Sequence, residues 1–305
     1  MSELGKRCLA AAVGLLLDRL VGEPPADLHP VAGFGRTMER AEQALWADRR
    51  LNGAVYALAG AATGAVAGLT TGSTAVVTWA VSAGRELRRV AGRIGELAAS
   101  GDLAAARAEL PSLVGREPSE LDASGIAAAV IESVAENSVD AVIAPAFWAA
   151  VAGAPGAAAY RAINTMDAMV GRRDDRYGNF GWAAARLDDA ANYVPARIFA
   201  ALVAVLCPRR AREIIAAVRR DAPAHPSPNA GVAEAALAAA LGRQLGGPLR
   251  YGEVAEERPL LGDGPRPVPD DVRTAVRIAD RVEQAAVAVL CLIWLATRLR
   301  VRPRP

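Results

Sequence analysis

The chain of 305 residues is short of the groups on which several common chemistries depend. Of its 35 basic residues all but Lys6 are arginine. A Walker-type phosphate loop needs a lysine after its glycines, and the sequence offers none there. Histidine occurs only at His29 and His225, so a zinc site would have to lean on carboxylates. The three cysteines, Cys8, Cys207 and Cys291, lie far apart in apolar stretches without C-x-x-C spacing. That excludes a disulfide framework and marks them as buried, reduced thiols. An excess of one charge is also missing: 35 basic against 33 acidic residues leave +2, which excludes nucleic acid as a partner captured by charge. Aromatics make up 5% of a chain that is 52% hydrophobic, so the apolar content is mostly Ala, Val and Leu.

Apolar length is what the sequence has. Leu51 to Gly84 is a run of 34 residues without a charge, where about 20 suffice to span a bilayer. Its middle, Gly68-Leu69-Thr70-Thr71-Gly72-Ser73, either turns a helical hairpin or sits inside one long tilted helix. Further apolar runs fall near residues 8–21, 141–160, 198–208 and 284–297. The first follows Lys6-Arg7 like a signal peptide, but Asp18-Arg19 stands where small cleavage-site residues belong. It therefore reads as a retained membrane or interfacial helix. Arg298, Arg300, Arg302 and Arg304 after the last run place the C-terminus in the cytoplasm by the positive-inside rule. Strand-like alternation is almost absent and no repeat is visible. The expected fold is all-α: one polytopic, membrane-embedded domain over 1–305, multi-pass in the cell membrane, with polar segments at 18–50, 85–140, 161–197 and 209–283. Within these, Arg85 to Leu110 reads as a solvated amphipathic helix pair, and Glu256 to Asp271, rich in Pro and Gly, as a loop.

Chemistry concentrates at the edges of the apolar runs. In Ile126–Pro145, Glu132, Glu136 and Asp140 follow at i, i+4 and i+8, which sets three carboxylates along one helix face. With no basic residue between Ala123 and Tyr160, this row needs Mg²⁺ or arginines from elsewhere. The segment Arg161–Arg197 gathers six arginines, five aspartates and the aromatics Tyr177, Phe180, Trp182 and Tyr193. Arginine forks and metal-holding aspartates suit phosphorylated substrates. A third cluster, His225-Pro226-Ser227-Pro228-Asn229, leads into a helix from Val232 that Gly246-Gly247-Pro248 closes. Asn229 is either its N-cap or part of an anion site. A fourth, Asp18, Gly22-Glu23-Pro24-Pro25 and His29-Pro30, is weak on its own.

The runs ESVAENSVDAVIAPAFW, NTMDAMVG, RYGNFGWAAARLDDAANYVPAR and HPSPNAG, with LLLDRLVGEPPADLHPV near the start, resemble the CobD/CbiB family of membrane-bound cobalamin-biosynthesis synthases, in order and over nearly the whole chain. The resemblance implies ATP-dependent joining of adenosylcobyric acid to (R)-1-amino-2-propanol O-phosphate, with Mg²⁺, in a pocket facing the cytoplasm. It implies membrane lipid, and a complex with other late enzymes of the pathway, as partners. Glu132, Glu136, Asn137 and Asp140 stand in the family's E-x-x-x-E-N-x-x-D motif, and Asn164 and Asp167 in its N-T-x-D motif. Arg186, Asp188, Asp189, Asn192, Tyr193 and Arg197 stand in its R-L-D-D-x-x-N-Y-x-P-A-R motif. These are expected to line one pocket. Glu132, Glu136, Asp140, Asp167 and Asp188 are the expected catalytic groups, with Glu136, Asp140, Asp167 and Asp189 for the metal. Asn137, Asn164, Arg172, Arg173, Arg176, Arg186, Asn192, Tyr193, Arg197, His225, Ser227 and Asn229 are expected to hold substrate and phosphate. Ala168 departs from a common Ser and Glu23 from a common Asp, and Arg172–Asp175 is unusually charged. A non-catalytic scaffold or sensor and a corrinoid carrier are the alternatives.

Overall fold

The computed structural model describes residues 2–25, 29–115, 118–172, 174–251 and 254–300, with side chains left aside at 248–257 and 300. Twelve α-helices and one β-hairpin are found among them. Contacts divide the chain into two compact units, residues 1–83, 140–192 and 286–305, and residues 84–139 and 193–285.

The first unit holds α1 (Glu3–Val21), α2 (Pro30–Leu45), α3 (Arg50–Thr71), α4 (Thr74–Val81) and α8 (Ala144–Val170). The long uncharged run breaks at Gly72, which takes φ +69 as the C-cap of α3, and Ser73 then caps α4 through the Val76 N–H. The run therefore forms two helices and not one long one, and the second has only eight residues. Against α8, α3 sets a glycine row. A Cβ on Gly64 would lie 2.7 Å from the Ala158 carbonyl, and one on Gly68 2.5 Å from that of Ala154. Only backbone fits there. The helix α8 is itself broken at Gly153, φ +71, ahead of Pro155. The freed groups find partners: Ala154 N–H donates to Thr74 Oγ1 (3.1 Å), and Arg7 Nη1 donates to the Val151 carbonyl (2.8 Å). A core of Met38, Tyr56, Met166, Val170 and Phe180 ties α2, α3 and α8 to the Tyr177–Gly181 loop.

The second unit holds α5 (Gly84–Ala99), α6 (Leu103–Glu109), α7 (Ala123–Ser138), α10 (Ala211–Asp221) and α11 (Ala230–Leu241). The expected amphipathic pair is α5 and α6, and α5 buries Leu87, Ala91, Ile94 and Ala98. Strands β1 (Leu245–Tyr251) and β2 (Val254–Leu261) pair antiparallel, with the register shifted between Leu245 and Gly247. This corrects the loop reading from Glu256. Pro248 and Pro259 hid the strands, and they are tolerated because in a two-stranded sheet every strand is an edge. The helix before it ends at Gly242 (φ +67), earlier than the Gly246-Gly247-Pro248 stop read from sequence.

Two helices run through both units, α9 (Trp182–Leu206) and α12 (Pro269–Arg300). Four segments are long and apolar enough to cross a bilayer: Arg50–Thr71, Ala123–Val170, Trp182–Leu206 and Pro269–Leu299. Large apolar side chains stand exposed on them, Leu58 at 62%, Leu69 at 64% and Leu292 at 64%, which suits lipid and not water. The protein is a membrane protein. The 19-residue α1 is not among the four. The C-terminal arginines that set the expected orientation continue into 301–305, outside the described residues.

Candidate functional site

The expected residues gather in two groups, one in each unit. In the first, α7 passes into α8 through a π turn at Val139–Ile143, and Asp140 sits in it, half-buried. Such single-turn insertions re-aim side chains and recur at functional positions. Asn164 of α8 donates from Nδ2 to Asp140 Oδ2 (3.0 Å) and to Asp188 Oδ1 (3.2 Å). Its Oδ1 accepts from Arg161 Nη1 (3.2 Å). Asn192, one turn beyond Asp188 on α9, donates to Asp188 Oδ2 (3.1 Å), and its Oδ1 accepts the Tyr160 hydroxyl proton (2.9 Å). The Asp140 carboxylate lies 3.5 Å from the same hydroxyl. Each amide thus has its oxygen facing a donor and its nitrogen facing carboxylate, which fixes both orientations.

Two carboxylates that share one amide NH₂ repel unless a cation joins them. Among the described residues no three His, Cys, Asp or Glu side chains form a ready cage for an ion. Mg²⁺ needs no such cage, because it is commonly held by one or two carboxylates together with substrate phosphates. The Asp140 and Asp188 donor set fits it. Asp167 is half-buried one turn before the end of α8. Asp189 lies 3.7 Å from Arg186, whose side chain is mostly exposed.

The charged loop of this unit behaves differently. Arg176 donates to Glu42 Oε1 (3.0 Å), as does the Tyr177 hydroxyl (2.9 Å), and its guanidinium lies over the rings of Trp46 (4.9 Å) and Tyr177 (5.3 Å). Arg172 lies over the same tyrosine at 5.6 Å. In this structure Arg176 and Tyr177 dock the loop on α2. Phe180 is fully buried against Tyr56, with ring centroids 5.1 Å apart. Arg173 lies outside the described residues.

In the second unit Arg197 is the centre. It donates to the Tyr193 carbonyl (2.8 Å), Asn229 Oδ1 (3.2 Å) and the Pro228 carbonyl (3.3 Å), and it covers the Tyr193 ring at 3.5 Å. Among the described residues these partners are all neutral. Asn229 occupies the N-cap position of α11 without capping it. Ser227 does so instead, its Oγ accepting from the Asn229 and Ala230 N–H groups, both at 3.2 Å. The buried His225 takes the Ser227 N–H on Nδ1 (3.1 Å) and turns Nε2 toward the buried Glu234, 3.8 Å away.

The three carboxylates of the row read from Glu132 to Asp140 have different surroundings. Glu132 is only 3% exposed, and its Oε1 accepts the Gly246 N–H (2.9 Å), pinning the hairpin bulge. Glu136 is exposed, and Asn137 turns back to donate to Ser133. Tyr160 was missed at the sequence level because it ends an apolar run, where an aromatic reads as an interfacial anchor.

The profile of the CobD/Cbib protein family matches residues 11–279. The chain is 46% identical to cobalamin biosynthesis protein CobD of Mycobacterium tuberculosis over 96% of this chain and 97% of that one. It is 44% identical to the protein of the same name in Chromobacterium violaceum, over 88% and 91%. For the one in Rhodobacter capsulatus the identity is 39%, over 93% and 96%. No solved structure matches.

Proposed function

Because the chain belongs to the CobD/CbiB family, whose relatives are named for cobalamin biosynthesis, we propose that it is a membrane-embedded enzyme of that pathway. The reaction is the ATP-dependent ligation of adenosylcobyric acid to (R)-1-amino-2-propanol O-phosphate, giving adenosylcobinamide phosphate. The observation that carries a catalytic reading, rather than a scaffold or a carrier, is the pair Asp140 and Asp188 drawn together by Asn164. Two carboxylates ordered by two amides and a tyrosine make an arrangement that a scaffold has no use for.

Amide formation from a carboxylate and an amine in water runs uphill, so the carboxylate needs activation. Transfer of the ATP γ-phosphoryl group to the corrin propionate gives an acyl phosphate. The amine then attacks its carbonyl, the C–N bond forms, the C–O bond to phosphate breaks, and the ammonium proton leaves. Such transfers depend on positioning and charge neutralisation. Mg²⁺, where bound, supplies part of that neutralisation, and Asp140 and Asp188 are the residues that would hold it. Asn164 and Asn192 keep both carboxylates oriented, and Tyr160 locks Asn192. In the second unit, Arg197, whose acceptors among the described residues are all neutral, is the group we assign to a phosphate. The reading expects Asp188→Asn and Asp140→Asn to lose about 100-fold or more in turnover, the scale on which removing a charge-stabilising group acts. Unchanged thermal unfolding in detergent would show that the fold survives. Full activity in both variants would overturn the assignment.

A further inference from the structure

The first unit contains a cavity of about 670 Å³ lined by Glu23, His29, Arg36 and Glu39 with Gly35, Thr165 and Met169. It draws on the sequence cluster around Glu23 and His29 that the reaction leaves without a role. The cavity has the size of a ligand site and groups of both signs on its wall. His29 is held on both sides. Its Nδ1 accepts the Val31 N–H (3.3 Å), so Nε2 carries the proton and faces Glu23 Oε2 at 3.3 Å. Burial, with the Arg161 charge adding to it, lowers the His29 pKa and keeps the ring neutral. The ring therefore orients the Glu23 carboxylate. Arg36 is exposed at the cavity, and Gly35 beside it leaves open space where a side chain would project.

A smaller cavity of about 90 Å³ shares Val31 and Thr165 with this one and contains Arg161. The Nε of Arg161 is buried and donates to nothing among the described residues, while its Nη1 reaches Asn164. Arg161 thus lines the cavity next to the mixed-charge one and reaches the amide that joins Asp140 and Asp188.

We propose that this cavity binds a small zwitterion carrying an ammonium at Glu23 and a phosphate at Arg36. His29 acts as a positioning residue for Glu23. On the reaction proposed above, on which this assignment rests, that zwitterion is the amine substrate.

Calorimetric titration of (R)-1-amino-2-propanol O-phosphate into the detergent-solubilised full chain tests the assignment apart from turnover. Glu23→Gln and Arg36→Gln are each expected to weaken binding about tenfold or more, the worth of one charged hydrogen bond. Gly35→Leu, whose Cβ would meet no atom within 4 Å, is expected to weaken binding about tenfold or more by projecting into the cavity. Binding of a non-hydrolysable ATP analogue stays as in the wild type for all three. Arg36→Gln loses its effect when the unphosphorylated amino alcohol is titrated instead. Wild-type affinity for the amine in Glu23→Gln and Gly35→Leu, or no binding of it by the wild type, overturns the proposal. If the wild type forms no corrinoid product yet these variants lose affinity as expected, the reaction fails and the pocket stands.

Discussion

At the scale of single residues, the two amides do as much as the two carboxylates. Asn164→Asp would set a third carboxylate against Asp140 and Asp188, and like charges at that separation cannot all ionise. The variant is expected to lose activity at neutral pH and to recover part of it in more acidic buffer, read as a pH profile of turnover; a wild-type profile would contradict the cluster. Glu132 belongs to a different class. Glu132→Ala orphans the Gly246 N–H in a buried place, which costs about 2–3 kcal/mol. Glu132→Gln keeps an acceptor there. Thermal unfolding in detergent is expected to separate the two variants, with activity following the folded fraction, and equal loss of turnover without loss of stability would return Glu132 to the reaction. The sequence made the acidic and amide motifs legible because charge at the edge of an apolar run is costly and so conspicuous. It could not show that Asn164 reaches Asp140 across 24 positions, nor that Asp140 sits in a π turn. Nor could it show the partners of Arg176, whose guanidinium bonds Glu42 and lies over the rings of Trp46 and Tyr177.

At the scale of elements, the row of glycines on α3 lets two backbones meet. Gly64→Val would drive methyl groups into the Ala158 carbonyl, and only separation of α3 from α8 relieves it. A loss of stability of about 3 kcal/mol or more is expected, well above a surface change, and a thermal midpoint in detergent equal to the wild type would refute the contact. The break in α8 tests the same layer more gently. Thr74→Val removes the acceptor for Ala154 N–H and is expected to cost about 1–2 kcal/mol. The hairpin has its own tether in the second unit, where Asp221 accepts the Gly262 N–H at 2.8 Å and Arg220 Nε at 2.6 Å. Burial pushes the Asp221 carboxyl up, but these two bonds prevail and hold it below its ordinary value. Its contribution is therefore complete above the ordinary carboxylate pKa and is lost as pH falls through the lower, folded one. Asp221→Asn should flatten that acid limb. At this scale the helices were legible from length and charge, and the turn near Gly72 from its Gly and Ser. The strands were not, because a two-stranded edge tolerates the prolines that normally argue against a strand.

At the scale of the whole molecule, four helices able to span a bilayer leave apolar side chains facing outward, while the polar residues of the family motifs form ordered groups. Asp140 and Asp188 lie on two of these segments, where amides order them into one compact cluster. That cluster, together with the family membership, is why the chain is read as an enzyme. The most direct test is mass spectrometry of the corrinoid after the detergent-solubilised protein has been incubated with adenosylcobyric acid, aminopropanol phosphate, Mg²⁺ and ATP, beside an ATP-free control. The account predicts an ATP-dependent mass gain equal to aminopropanol phosphate less one water, lost in Asp188→Asn. An unchanged corrinoid mass, from protein that still binds the corrinoid, would contradict it.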